Sequence, residues 1–208
     1  MSLRRLSPDQ PKSFEFTKEN LAWTQAQIKK YPDGRQASAV VPILWRAQEQ
    51  QGGYVTELMI RVVAEMLGLS PIRVLEIATF YTMFNLKPVG KHLIQVCTTT
   101  PCWLRGSDTV LAACKKNIAK TPETVSADGM FSWMEVECLG ACVNAPVVQI
   151  GDDYYEDLDG ARMESILTDL RAGRKPNPGS QIGRQTSAPE GGPMTLTDPA
   201  LFKETKGS

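Results

Sequence analysis

The sequence predicts an α+β chain in three parts: a small helical bundle, a domain alternating strands with helices, and an extended tail. Three observations carry that reading. Apolar residues recur at helical spacing from Phe14 to Asn85, and the pattern changes to short strands and helices from about Lys91. After Gly173 the chain turns to Pro, Gly, Ser and Thr, a composition that buries too little to fold alone. At 208 residues there is material for one large core or two small ones. The expected division is an N-terminal arm at 1–13, a helical bundle at 14–89, an α/β domain at 90–175 and the tail at 176–208.

The first helix lies in "FTKENLAWTQAQIKKYPDG", with Thr17 as N-cap and Leu21, Gln25 and Ile28 along one face. It stops at the turn Tyr31-Pro32-Asp33-Gly34. "SAVVPILWRAQEQQGG" is apolar through Trp45 and closed by Gly52-Gly53. Pro42 falls in its first turns, where a missing N–H costs little. "VTELMIRVVAEMLGLS" has Thr56 as cap, a stripe of Leu58, Val62 and Met66, and Gly68 as its stop. "SPIRVLEIATFYTMFN" opens with Ser70 as N-cap and Pro71 at the first helical position. Four amphipathic segments with short turns make a bundle, and their apolar stripes are its core.

Beyond Lys91, "KHLIQVC" reads as a strand ending at Cys97 and "SDTVLAACKKNIAK" as a helix capped by Ser107. "MFSWMEVEC" is a strand ending at Cys138, and "PVVQIGDDYYEDL" is a hairpin turning near Gly151-Asp152. "DGARMESILTDLRAG" is the last helix, stopped by Gly173. The order βα then βββα has about the length of a thioredoxin-like domain. A strand opening at a proline after a cysteine loop, here Pro146, suits that fold, whose prolines there are often cis. The tail is read either as loose or as draped over a partner subunit.

Charge and hydropathy exclude several classes. Lys and Arg total 23 and Asp and Glu 23, so no basic excess draws in nucleic acid or an anionic membrane. The apolar runs "AVVPILW" and "PVVQI" fall far short of a membrane span, so no direct membrane insertion is expected. The N-terminus "MSLRRLSPDQPKSF" lacks the apolar stretch of a secretory signal and reads as an arm in a reducing compartment. In such a compartment five cysteines point to metal or redox use rather than a disulfide framework.

Four of those cysteines fall where strands end: Cys97 and Cys102 in "CTTTPC", Cys138 and Cys142 in "CLGAC". The framework is C-x4-C, 35 residues, then C-x3-C. Strand ends on one edge of an αβ sheet converge, so both loops can meet. Four thiolates brought together need a cation, because they repel and are costly to bury unpaired. Structural zinc usually takes tighter knuckles, often mixed with histidine. The wide, asymmetric spacing suits a [2Fe-2S] cluster better, with zinc as the alternative. A lone histidine, His92, excludes a Rieske-type site, which needs two. Gly140, and Gly106 after Cys102, are expected to let backbone N–H groups approach sulfur, and Pro101 and Pro146 to stiffen the loops. The chain has no C-x2-C, which argues against a dithiol–disulfide enzyme. Cys114, in "VLAACKKNI", reads as an inert core thiol, and His92 as a surface or partner-facing residue.

The same stretches carry a family resemblance. "DGMFSWMEVECLGACVNAP" (128–146), "ATFYTMFNLKPVGKH" (78–92) and "CTTTPCWLRGS" (97–107) resemble the thioredoxin-like [2Fe-2S] ferredoxin subunit of respiratory complex I. The resemblance spans roughly residues 14–175. It implies a thioredoxin-like fold for 90–175 and a peripheral electron-transfer subunit of the NADH dehydrogenase module. It also implies one cluster, held by Cys97, Cys102, Cys138 and Cys142. NADH and FMN would then sit on a neighbouring flavoprotein subunit, with the large iron–sulfur subunit of the complex as a second partner. This chain agrees in having neither G-x-G-x-x-G nor a P-loop. The place implied is the cytoplasmic face of a bacterial inner membrane, or the mitochondrial matrix. Similar subunits serve NAD-linked formate dehydrogenases and hydrogenases, and a structural zinc-binding adaptor is the reading from a different class.

Overall fold

The computed structural model describes residues 4–192 and 194–202. The start of the expected N-terminal arm and residues 193 and 203–208 of the expected tail lie outside the described residues. The chain divides into two units, one made of the residues up to Leu93 with Glu123–Ser132, the other of Ile94–Pro122 with Trp133 onward.

The first unit holds four helices: α1 (Lys18–Ile28), α2 (Val40–Gln50), α3 (Glu57–Leu67) and α4 (Pro71–Phe80). Thr17 caps α1 by accepting the Asn20 N–H at 3.2 Å. The buried side of α1 differs from the expected stripe: Leu21 is exposed and Thr24 is fully buried. Thr24 can occupy that place because its hydroxyl donates to the Asn20 carbonyl at 2.7 Å. In α3, Thr56 accepts the Met59 N–H and Gly68 ends the helix in the left-handed region at φ 63°. Its core side is Met59, Ile60, Val63, Ala64 and Leu67, one step round from the expected Leu58, Val62 and Met66. "ELMIRVVAEML" is apolar over so wide an arc that spacing alone leaves the centre of the stripe undetermined. Pro71 opens α4, while the Ser70 side chain makes no capping bond. The N-terminal arm is anchored: the Arg4 guanidinium donates to the carbonyls of Thr79 at 2.9 Å, Tyr81 at 3.1 Å and Phe84. A cation there satisfies carbonyls left open at the end of α4 and complements its dipole.

The second unit carries most of the sheet, in the order β2-β1-β3-β4-β5. The strands are β1 (His92–Cys97), β2 (Phe131–Val136), β3 (Val148–Ile150), β4 (Asp153–Glu156) and β5 (Gly179–Ser180). β3 runs antiparallel to both β1 and β4, setting Ile94 opposite Ile150, Val96 opposite Val148 and Val148 opposite Tyr155. Helices α5 (Thr100–Leu104), α6 (Ser107–Asn117) and α7 (Gly160–Arg171) complete it. Val96, Trp133, Val148, Tyr155, Met163 and Leu167 are buried. Gly160 sits so near α6 that a Cβ there would lie 3.0 Å from the Thr109 carbonyl oxygen. The α+β class and thioredoxin-like order agree with the sequence reading, and the Ala145–Pro146 peptide is cis.

Several local expectations are corrected. The cap of α6 is Gly106, at φ 91°, and Ser107 is its first helical residue. β2 ends at Val136, two positions short of Cys138. The short helix α5 occupies the "CTTTPC" loop, and the tail adds β5 in parallel to β4. A five-residue helix and a two-residue strand are too short to show a period.

Candidate metal centre

Each cysteine loop is built by backbone chemistry around its sulfurs. β1 delivers Cys97 to the sheet edge, and the chain turns at once into α5, which carries Cys102 in its first turn. Both are buried. Beyond β2, the second loop holds Cys138 and then a 3-10 turn, Cys142–Asn144; both of its cysteines are exposed. Ala145 and Val147 pack with Cys97 and Cys102, and Leu139, Ala141 and Tyr154 cover that cluster.

The four sulfurs converge as two close pairs. The Cys138 and Cys142 Sγ atoms are 3.4 Å apart. Two thiolates on one tetrahedral metal, with bonds of about 2.3 Å, stand about 3.8 Å apart, so this pair needs only a small adjustment. Cys97 and Cys102 stand close enough to shift each other's ionisation, and the backbone of Leu139 in the second loop favours the Cys97 thiolate. The Thr99 hydroxyl lies 3.3 Å from Cys97 Sγ and also favours the Cys138 thiolate. Among the described residues, no compact group of three or more His, Cys, Asp or Glu side chains surrounds a single point. Two pairs joined through Thr99 and Leu139 are a donor set for a two-metal cluster, and the residues present fit a [2Fe-2S] group.

Electrostatics separate the four thiols. Burial pushes Cys97 up, but bonds from the Thr99 hydroxyl and the Leu139 and Thr99 backbone outweigh it, and its pKa is lowered. Burial, reinforced by Cys97, pushes Cys102 up to about 12. The Gly140 N–H, 3.4 Å from Cys138 Sγ, is the chief cause of a lowered Cys138, while Cys138 itself raises Cys142. N–H groups aimed at sulfur favour the thiolate, the form that binds metal.

Gly140 therefore acts as the sequence suggests, at φ 83° with its N–H on sulfur. Gly106 does not. Its N–H donates to the Trp103 carbonyl at 3.1 Å, closing the end of α5. Cys114 is fully buried, its thiol pushed up to about 12 by burial. His92 stands at the start of β1 with its ring 5.8 Å from that of Phe131. Two contributors were missed. Thr99 stands between the first two cysteines and could have been found there. Tyr154, whose hydroxyl donates to the Leu139 carbonyl at 2.8 Å, comes from β4 and leaves no local sign.

Comparison with known proteins agrees with this geometry. The pattern of the family described as thioredoxin-like [2Fe-2S] ferredoxin matches residues 24–171. A subunit of the NADH-quinone oxidoreductase of Rhizobium meliloti is 54% identical over 99% of this chain and 76% of its own length. A subunit of the NADH-quinone oxidoreductase of Rickettsia bellii is 56% identical over 76% of this chain and 95% of its own. Among solved structures, an NAD+-reducing [NiFe]-hydrogenase in the air-oxidized state superposes with a TM-score of 0.54 at 21% identity. That match covers 62% of this chain but 23% of the hydrogenase chain, and it bears on the fold alone. With most of its length matched, including the stretch that contains both cysteine loops, this chain belongs to the thioredoxin-like [2Fe-2S] ferredoxin family, whose cofactor is a [2Fe-2S] cluster.

Proposed function

We propose that the chain is the electron-transfer subunit of the NADH dehydrogenase module of a proton-pumping NADH:quinone oxidoreductase. The observation that carries this is the pairing of four converging thiols with 54% identity, across nearly the whole chain, to a subunit of an NADH-quinone oxidoreductase. In this reading residues 90–175 form the cluster domain. Cys97 and Cys102 would hold one iron, and Cys138 and Cys142 the other. The chemistry supplied there when the cluster is bound is acceptance and return of one electron at a time.

This chain's own residues tune and expose that chemistry. The Gly140 and Leu139 N–H groups place positive dipole ends on Cys138 and Cys97, which favours added negative charge. Leu139, Ala141 and Tyr154 keep water from the buried pair. The exposed pair leaves one side of the site open to a partner. That partner is a flavoprotein subunit carrying FMN and NADH, whose reduced flavin holds two electrons to be passed singly. The large iron–sulfur subunit is the second neighbour. In this reading the chain sits peripherally on the cytoplasmic side of a bacterial inner membrane, or in the mitochondrial matrix; among the described residues no helix is long and apolar enough to cross a membrane. A diaphorase role in a hydrogenase has the weaker support, since the likeness there is 21%.

The test is spectroscopic. The chain loaded with iron and sulfide should be reddish-brown and give an EPR signal on reduction. Cys138→Ser should lose that signal, and Cys114→Ser should keep it. A colourless protein with one zinc per chain, or NADH oxidation by the chain alone, overturns the proposal. Co-purification with the flavoprotein subunit tests the partner assignment.

A further inference from the structure

We infer that Arg184, in the tail, is a positioning residue of the cluster site: it clamps the turn that carries Cys142. The inference rests on the ligand assignment proposed above. Arg184 lies beyond residue 171, where the family match ends. Its side chain is 6% exposed, an unusual burial for an arginine in a stretch of this composition. One terminal nitrogen donates to the Val143 carbonyl at 3.0 Å and to Asn144 Oδ1 at 3.1 Å. The other donates to Asp157 Oδ1 at 2.7 Å, and that carboxylate is 2% exposed. Among the described residues Nε is buried without a hydrogen-bond partner, so the polar contacts of the side chain run through its terminal fork.

The partners close a ring round the turn. The Asn144 side chain also donates to Glu156 at 2.6 Å and to the Thr186 carbonyl at 2.7 Å. The Asn144 carbonyl accepts the Asp157 N–H at 2.7 Å. Ser180, on β5, donates to Asp157 Oδ2 at 2.7 Å and accepts the Arg184 N–H at 3.2 Å. Glu190, paired with Arg105 at 3.0 Å, lies 3.8 Å from Arg184 and adds an exposed link to the end of α5. Every bond to Val143 or Asn144 fixes the backbone next to Cys142 Sγ, while none touches sulfur. That is the outer-shell arrangement that sets how firmly a ligand is held.

The test uses the full-length chain loaded with its cluster. Arg184→Lys keeps the charge on Asp157 and loses the fork. Arg184→Met with Asp157→Asn removes the charge pair together, so no lone buried carboxylate unfolds the chain. Lys175→Met is the control: it breaks the Lys175–Asp153 pair at the start of the tail and leaves the turn alone. Release of the cluster to a chelator, followed by the visible band, should quicken about 10–100-fold in the two Arg184 variants, in line with other outer-shell losses. The control should match the parent, and so should far-UV circular dichroism throughout. Hydrogen exchange at the Asn144 and Ala145 amides should rise in the Arg184 variants in the cluster-free chain as well, so the clamp is read even if the ligand assignment fails. Parent release and parent exchange in both Arg184 variants overturn the inference. Equal acceleration in Lys175→Met overturns it too, because loosening the tail would then be enough.

Discussion

Cys138 and Cys142 are neighbours in space and both exposed, yet the Gly140 N–H favours the thiolate of the first while that thiol opposes ionisation of the second. In the cluster-free, reduced chain an alkylating reagent near neutral pH should therefore mark Cys138 ahead of Cys142. Cys102 and Cys114, buried and pushed up to about 12, should stay unmarked until the chain unfolds. Peptide mass spectrometry reads the order, and labelling of Cys114 before Cys138 contradicts it. His92 gives a second residue-scale expectation. Burial, aided by Lys91, lowers its pKa, so the folded chain prefers the neutral ring. The unfolded chain takes up the proton first, and stability should fall as pH drops below about 6.5, levelling off beneath the folded value. As the chain's one histidine, it can be titrated cleanly by NMR, and a midpoint at or above about 6.5 would contradict the sign.

Among the elements, those with long periods or strong caps were legible and the short ones were not. Thr17, Thr56, Pro71 and Gly68 mark helix ends by local chemistry, so α1, α3 and α4 could be read without knowing what they pack on. The buried face of α3 needed its neighbours, because its apolar arc is broader than one stripe. α5 is too short to show a period, and β5 exists through its pairing with β4, which no local window of sequence contains. The cysteine spacing pointed to a shared site, but Tyr154 and Arg184 reach it from separate elements and gave no local signal. Two substitutions test this scale. Thr56→Ala removes the acceptor for the Met59 N–H and should cost about 0.5–2 kcal/mol in thermal or denaturant unfolding. Gly160→Ala places a methyl 3.0 Å from the Thr109 carbonyl and should cost about 1–3 kcal/mol, since backbone must give way. An unchanged midpoint for Gly160→Ala would mean that α7 shifts freely, against the close approach seen.

At the scale of the whole chain, the two units differ in what their stability depends on. The first is held by an apolar core of Ile43, Leu44, Met59, Val63, Val74 and Phe84, and all five cysteines lie outside it. The second gathers Cys97 and Cys102 into a small core with Ala145 and Val147, and keeps Cys138 and Cys142 at the surface. Without a bound cation, four thiols that favour different charge states stand together there, their loops held by that small apolar cluster, by hydrogen bonds and by the Arg184 clamp. A group that binds the folded chain and not the unfolded one stabilises whatever its ligands pin. Removal of the cluster should therefore raise hydrogen exchange across residues 97–104 and 138–146, while the amides of α2 and α3 keep their protection. Exchange measured on the loaded and the stripped chain under one condition decides this. Equal loss of protection in α2 and α3 would show that the helical core depends on the metal, contrary to a unit that is held by its own apolar core and contains none of the cysteines.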